Sequence, residues 1–399
     1  MDHAAATPID SQIIEAMLPY YSVKFGNPSS LHSSGSDPRK AVMEARENVA
    51  KLVRAKNTEI CFTSGGTESN NLAIKGVAYR NRDKGNHIIT TSIEHISTLN
   101  ICKDLAKDGF KISHVAADKY GIVEPRSVEA EINPSTILIT LAYANGEIGT
   151  IQPIREIGRI ARENGVLLHV DGVSSIHQVP TNVQDENIDL MSVSSNDMYG
   201  PRGMGALYIK QGTRIEPIIH GGGQEMGLRS GSENVPGIVG FGKAAELARE
   251  RMKEDSAHLR DLRDRLIKGV VTSVSESYLN GHPTSRLPNN VHLRFNGIEG
   301  ESLLLNLDEK GISVATGSAC SSKTLEPSHV LMAVGLNEVE AHGSLLLTLG
   351  RENTQEEADY VIGVVPEVVE RLRSFSPIWG KKIDLEKWKK DMEQRGHEH

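Results

Sequence analysis

The run Ala315-Thr-Gly-Ser-Ala-Cys-Ser-Ser-Lys-Thr-Leu-Glu-Pro327 places Cys320 among small polar residues. A free cysteine is usually a buried small hydrophobe. One in a Ser/Gly/Thr-rich loop reads instead as exposed and reactive, and Lys323 favours its thiolate. Cys61 and Cys102 lie in apolar-periodic segments and read as core. Upstream, Thr63-Ser-Gly-Gly-Thr-Glu-Ser-Asn70 follows a strand pattern and opens a helical one. Gly65 and Gly66 let the backbone curl, and Thr67 is placed to cap the helix. The free N–H groups at a helix start suit a phosphate. An ordinary capped turn reads the same way. Ser194, in the polar turn Met191–Gly205, offers a second hydroxyl for that phosphate. Asp171 ends a strand-like run, where it would pair with a protonated ring nitrogen or simply form a turn. His95 would stack on an aromatic cofactor or be an ordinary polar residue. In the glycine-rich run His220–Ser232, Arg229 and Ser232 suit an anion contact, within the chain or across a dimer interface; the alternative is a flexible surface loop.

The elements that must position these groups alternate. Strand-like runs cover Glu59–Thr63, His87–Thr91, Lys111–Val115, Thr136–Ala142, Gly165–Asp171, Ile188–Ser192 and Gly205–Ile209. Several are almost continuously apolar, as strands buried on both faces are. Helical patterns such as Asp37–Arg54 and Ile154–Asn164 separate them. This predicts an α/β domain with a mostly parallel sheet and ligands at the strands' carboxyl ends. A charged helical stretch near Ile238–Val271 bridges to a smaller C-terminal α+β lobe. The expected division is a large domain over 12–255 and a small one combining 1–11 with 256–399. The 399 residues are 38% hydrophobic and 4% aromatic, so aliphatic packing carries the core. A net charge of -8 argues against nucleic acid as partner. Three scattered cysteines fit a reducing compartment. No run suits a bilayer and no secretory pattern opens the chain, so a soluble cytoplasmic protein without a membrane partner is expected. His397 and His399, in the charged tail Lys381–His399, read as solvated rather than metal-binding.

The signatures T-S-G-G-T-E-S-N-N, I-E-H, V-D, Y-G-P-R-G-x-G-A-L-Y, H-G-G-G-Q-E, L-R-S-G-S-E-N-V-P and G-S-A-C-S-S occur in order over nearly the whole chain. Together they resemble the pyridoxal-phosphate cysteine desulfurases. Leu-Glu-Pro-Ser-His-Val after Cys320, and Ser376-Pro-Ile-Trp379, resemble the subgroup that hands sulfur to an IscU-type scaffold in iron–sulfur cluster assembly. The resemblance implies a homodimer of the pyridoxal-phosphate-dependent transferase fold type I, like aspartate aminotransferase. By it, the turn at Gly66 and Thr67 holds the cofactor phosphate with Ser194, and Ser232 reaches in from the other subunit. His95 stacks on the ring, Asp171 pairs with its nitrogen, and Cys320 attacks the substrate thiol and carries the persulfide. Asn145, Ser174 and Asn196 occupy further cofactor-contacting positions.

Departures from the family fall on the substrate side. The family's Ser-x-His-Lys reads Ser194-Ser195-Asn196-Asp197, so Asp197 stands where a lysine binds pyridoxal covalently. An aspartate can move a proton but forms no Schiff base. Ser174 replaces a glutamine, and Gly146 replaces an asparagine in Asn145-Gly146-Glu147. Leu346 replaces the arginine that grips the substrate carboxylate, a contact worth roughly 2–5 kcal/mol where its partner is buried. Three readings follow. The first is a desulfurase of iron–sulfur assembly that takes sulfur from L-cysteine through a Cys320 persulfide, using non-covalent pyridoxal phosphate. The second is a non-catalytic partner of the scaffold, whose Cys320 accepts sulfide or ligates a shared 2Fe–2S cluster. The third is another pyridoxal lyase acting on a thiol or selenol, which Leu346 disfavours.

Overall fold

The computed structural model describes residues 1–317, 327–377 and 379; Cys320, Lys323 and the tail from Lys381 lie outside them. Seven strands form the main sheet: β1 (Ile60–Thr63), β2 (His87–Thr91), β3 (Lys111–Val115), β4 (Thr136–Ala142), β5 (Leu167–Asp171), β6 (Leu190–Ser194) and β7 (Gly205–Ile209). Their order is β1-β7-β6-β5-β4-β2-β3. The run from β3 to β6 is parallel, and β7 is antiparallel to both β6 and β1. Every residue of β2, β6 and β7 is buried, as their unbroken apolar runs require. β5 and β6 begin later than their apolar runs. Gly165, at φ 67°, and Val166 close the preceding helix Ile154–Glu163, the Val166 amide donating to the Ala161 carbonyl at 3.0 Å. The Ile188 amide is likewise taken by a turn, donating to the Val183 carbonyl at 3.0 Å.

A second, antiparallel sheet has the order β10-β9-β8, from β8 (Ser277–Leu279), β9 (Asn290–Phe295) and β10 (Ser344–Thr348). The helix Val235–Ser273 serves both sheets. Phe241, Ala244, Ala245 and Leu247 enter the core of the first, and Leu259, Leu262, Leu266 and Val270 enter that of the second. Met1 packs on the second core, and its carbonyl accepts from the Thr348 amide at 2.9 Å. Ile13 and Met17 belong to the first core. We propose that the lobes divide within this helix near residue 255, with the first 11 residues joining the smaller lobe.

Register brings the carboxyl ends of the strands together. Thr63 and Ser194 both face Gly205, while Asp171 lies between Ala142 and Ser192. β1 is fixed from outside the sheet by Glu225. Its carboxylate accepts from Arg46 Nη1 and Nη2 at 2.6 and 2.7 Å and from the Phe62 amide at 2.8 Å. Glu225→Ala should leave the Arg46 guanidinium, only 18% exposed, without its partner. It should lower stability by about 3–5 kcal/mol, read from the urea midpoint and slope; a loss below ~1 kcal/mol would show the pair is not holding β1.

Candidate functional site

A cavity of about 640 Å³ opens where these strand ends meet. One wall is the start of the helix Gly66–Arg80. Its N-cap is Gly65, at φ 152°, a conformation open to glycine. A Cβ on Gly205 would come within 2.6 Å of Gly65 Cα, so the turn lies directly on β7. Thr67 is therefore not the cap expected from the sequence. It lies inside the first turn, because the helix already begins at Gly66, and no side chain caps this end. Among the described residues, the amides of Gly66, Thr67 and Glu68 find no acceptor. Three open N–H groups at a helix start face the cavity as an anion cradle. Ser194, 7% exposed, lines the same wall, and its Oγ accepts from the Asn196 amide at 3.3 Å.

Asp171 stands on the cavity floor. Its Oδ2 accepts from Asn70 Nδ2 at 2.7 Å and its Oδ1 from the Val173 amide at 3.0 Å. The same Asn70 amide reaches Ser97 Oγ at 3.2 Å, and Ser97 Oγ meets His95 Nδ1 at 2.8 Å. The Ser97 amide also donates to His95 Nδ1, at 3.2 Å, so that nitrogen is an acceptor and the exposed imidazole carries its proton on Nε2. Asn145 lines the cavity with both ends of its amide committed: Nδ2 donates to the Ile93 carbonyl, and Oδ1 accepts from the Glu147 and Ile148 amides. Ser174 faces Gly146, where an added Cβ would meet Ser174 Oγ at 2.7 Å. These two departures from the family motifs are thus neighbours on one wall.

Asp197 lies in the short turn Asn196–Met198 and lines the cavity. Burial, and then the Asp171 carboxylate, push its carboxyl up to about 7. Sequence reasoning passed over two further acids. Glu94 is buried, accepts from Thr91 Oγ1 at 2.6 Å, and is pushed up to about 8 by burial. Glu147 is also pushed up to about 8 by burial, and accepts from Ser328 Oγ at 2.5 Å. Both adjoin quoted motifs, Glu94 in Ile-Glu-His and Glu147 in Asn-Gly-Glu, and Asn70 closes the Thr63–Asn70 run. Their signal was a polar residue where a strand end or first helical turn must face inward.

Leu346 reaches the cavity from β10, 5% exposed, with its amide and carbonyl paired to Ala315. No lysine lines the cavity among the described residues, and the sole guanidinium is that of Arg351. Arg351 is occupied: it pairs with Asp10 and Glu352 and stacks on Tyr199 at 4.0 Å. Arg229, expected to contact an anion, pairs instead with Glu68, its Nε 2.9 Å from Oε1. Ser232 is exposed and does not line the cavity of its own chain. Cys320 lies outside the described residues, but Gly317 before it and His329 beyond it both line the cavity. Cys61 and Cys102 are buried free thiols, as expected of core residues. Among the described residues, no three metal-ligating side chains cluster.

The class-V aminotransferase model matches residues 1–361. The chain belongs to the cysteine desulfurases of that family. It is 54% identical to cysteine desulfurase IscS 1 of Archaeoglobus fulgidus, over 95% of this chain and 98% of that one. Against cysteine desulfurase IscS of Methanosarcina thermophila it is 53% identical, over 96% and 94%. Among solved structures, a NifS-like protein superposes with TM-score 0.87 and 37% identity, covering 93% and 99%. SspA in complex with cysteine gives 0.78 and 36%, covering 88% and 99%. The fold is therefore the expected transferase fold type I, and membership implies pyridoxal phosphate. The cavity fits that group as a non-covalent guest. Open helix amides suit its phosphate and Asp171 suits a ring N–H, but among the described residues no lysine lines the cavity to bind it covalently.

Keeping Asp197 neutral stabilises the fold. Its pKa is raised, so this stability is full below the ordinary carboxyl range and is lost as pH rises through about 7. Asp197→Asn cannot ionise. Its stability advantage over the parent should widen by ~1–3 kcal/mol between pH 4 and pH 8, measured by denaturant unfolding at both. A constant gap would mean Asp197 is not held near neutrality.

Proposed function

We propose that this desulfurase-family chain handles sulfur for iron–sulfur cluster assembly, with Cys320 as its working residue, and turns over cysteine slowly on its own. The observation that carries this is Asp197: a carboxyl group occupies the turn where the family's lysine stands, in a cavity that no lysine lines among the described residues. Gly66, Thr67 and Ser194 would hold the cofactor phosphate, Asp171 its ring nitrogen and His95 its ring face. Bound there, pyridoxal phosphate supplies an electron sink at the carbon from which sulfur leaves. Cys320 takes the sulfur of L-cysteine as a persulfide and passes it to an IscU-type scaffold; the carbon product is alanine. Leu346 offers the substrate carboxylate no charge, so cysteine is poorly held.

The same two residues favour a second reading, in which sulfide is made elsewhere and the Cys320 thiolate ligates a 2Fe–2S cluster held mainly by the scaffold. A homodimer is part of either reading. Leu18, Tyr21, Val23, Phe25 and Leu31 leave an apolar stretch exposed near the N-terminus, as a subunit interface would. Either reading places the protein in the cytoplasm, where its thiols stay reduced. Among the described residues, no helix is long and apolar enough to cross a membrane.

Alanine and sulfide, measured together with L-cysteine and added pyridoxal phosphate, separate the two. Alanine formation abolished by Cys320→Ala supports the slow desulfurase. No alanine at any cofactor concentration, with cluster formation on the scaffold still lost in Cys320→Ala, supports the partner. Cluster formation indifferent to Cys320 sinks both. Asp197→Lys should retain pyridoxal phosphate through desalting, where the parent loses it. Its cysteine turnover should stay at least about 30-fold below that of the Asp197→Lys, Leu346→Arg double variant. Equal turnover would show the arginine is dispensable.

A further inference from the structure

We propose that the cavity selects the amine form of the cofactor, pyridoxamine phosphate, with Asp197 pairing to the ammonium group. This rests on reading the cavity as the cofactor site and specifies which form it holds.

The first argument is charge. Asp2, Glu94, Glu147, Asp171, Asp197 and Asp255 line the cavity, and no lysine does so among the described residues. The sole lining guanidinium, Arg351, is already held by Asp10 and Glu352. Burial holds Glu94, Glu147 and Asp197 near neutrality while no cation is present, and a cationic centre beside Asp197 lets that carboxyl ionise, which an added acceptor does not.

The second argument is unmet hydrogen bonding. The turn that carries Asp197 also carries Asn196, whose Oδ1 is buried without a partner. Across the cavity, Glu94 is 2% exposed, and its Oε2 is buried and unpartnered too. Among the described residues, the Asp197 carboxyl accepts no bond from another side chain. The Asn196 oxygen is an acceptor, and each carboxyl becomes one when it ionises; buried acceptors are costly unless met by donors. An ammonium brings three donors and a positive charge that favours the ionised carboxylate. The aldehyde form brings one more acceptor, and among the described residues it meets no lysine to condense with.

The third argument is the anion cradle. The open amides at the start of the helix Gly66–Arg80, with Ser194, lie on the wall fed by β1 and β6. An anion cradle and ionisable carboxyls in one cavity suit a ligand that carries both a phosphate and an amine. A bare divalent cation answers the acceptors less well, because no three ligating side chains converge among the described residues.

The test is equilibrium binding by calorimetry, with pyridoxamine 5′-phosphate and pyridoxal 5′-phosphate titrated separately into the purified full chain. The amine form should bind at least about tenfold more tightly, and inorganic phosphate should compete with both. In Asp197→Asn, which keeps the shape but cannot ionise to meet the ammonium, the ratio should fall towards about one. If the parent binds the aldehyde form as tightly or more tightly, with phosphate competing, this inference fails while the cofactor-site reading stands. If neither form binds, both fail. An unchanged ratio in a folded Asp197→Asn, checked by circular dichroism, removes Asp197 from the account. Should that variant not fold, the parent's own ratio still decides.

Discussion

The hydrogen bond from Asn70 to Asp171 is the contact around which the cavity is arranged. Asn70 is 1% exposed and Asp171 7%, so their bond is largely screened from bulk water. Asn70 lies one turn into the helix Gly66–Arg80, and Asp171 ends β5. Their bond therefore sets the distance between the anion cradle and the sheet floor. The other hydrogen of the same amide reaches Ser97, and through it His95, at the start of the helix Ile96–Lys107. One carboxylate thus orients two helix starts. Removing one partner of such a buried pair strands the other, at a cost of about 1–3 kcal/mol.

That arrangement is shared with a family whose chemistry the rest of the cavity opposes. Asp in place of Lys at 197 changes the formal charge of the wall by two units when both are ionised. Leu346 withdraws another positive charge. Burial, and then the Asp171 carboxylate, make Asp197 costly to ionise, and the fold holds it near neutrality. A substrate gripped by its carboxylate meets repulsion on one side and a hydrocarbon on the other. A ligand presenting an amine meets neither. Gly146 beside Ser174 continues the pattern, since both offer less side chain than the family residues they replace and widen the same wall.

Much of this was legible in the sequence because it is local. Unbroken apolar runs gave the buried strands, and Asp171, Ser194 and Asp197 were readable because a strand end or the turn after it must face the sheet's carboxyl edge. Thr67 was misread as a cap because two consecutive glycines leave the start of the helix ambiguous; the chain enters it one residue earlier. The partner of Arg229 within the chain, Glu68, could not be named in advance because it is far away in sequence, and no local pattern announces such a pair. Arg46 with Glu225 escaped notice for the same reason. Glu94 and Glu147 read as unremarkable acids, since only tertiary burial makes them costly to ionise.

The sulfur-carrying residue and the cavity can diverge separately, yet they share a wall. Residues on both sides of the Cys320 segment end on cavity acids. Ser328 donates to Glu147, and His329 Nε2 donates to the Glu94 carbonyl at 2.9 Å. On the other side, Gly317 lies so close to Glu147 that a Cβ there would be 2.5 Å from Oε1. Neither acid depends on the lysine or arginine that the family uses for substrate. Loss of those two residues therefore leaves the roots of the Cys320 segment in place. Charge at Glu147 is a different matter, because ionising it acts directly on the Ser328 hydroxyl that it holds. Glu94 holds His329 by its backbone carbonyl while the Asp171 carboxylate helps to keep its side chain protonated, so the cofactor floor and one root of the sulfur segment meet at a single residue even where covalent cofactor chemistry has been lost.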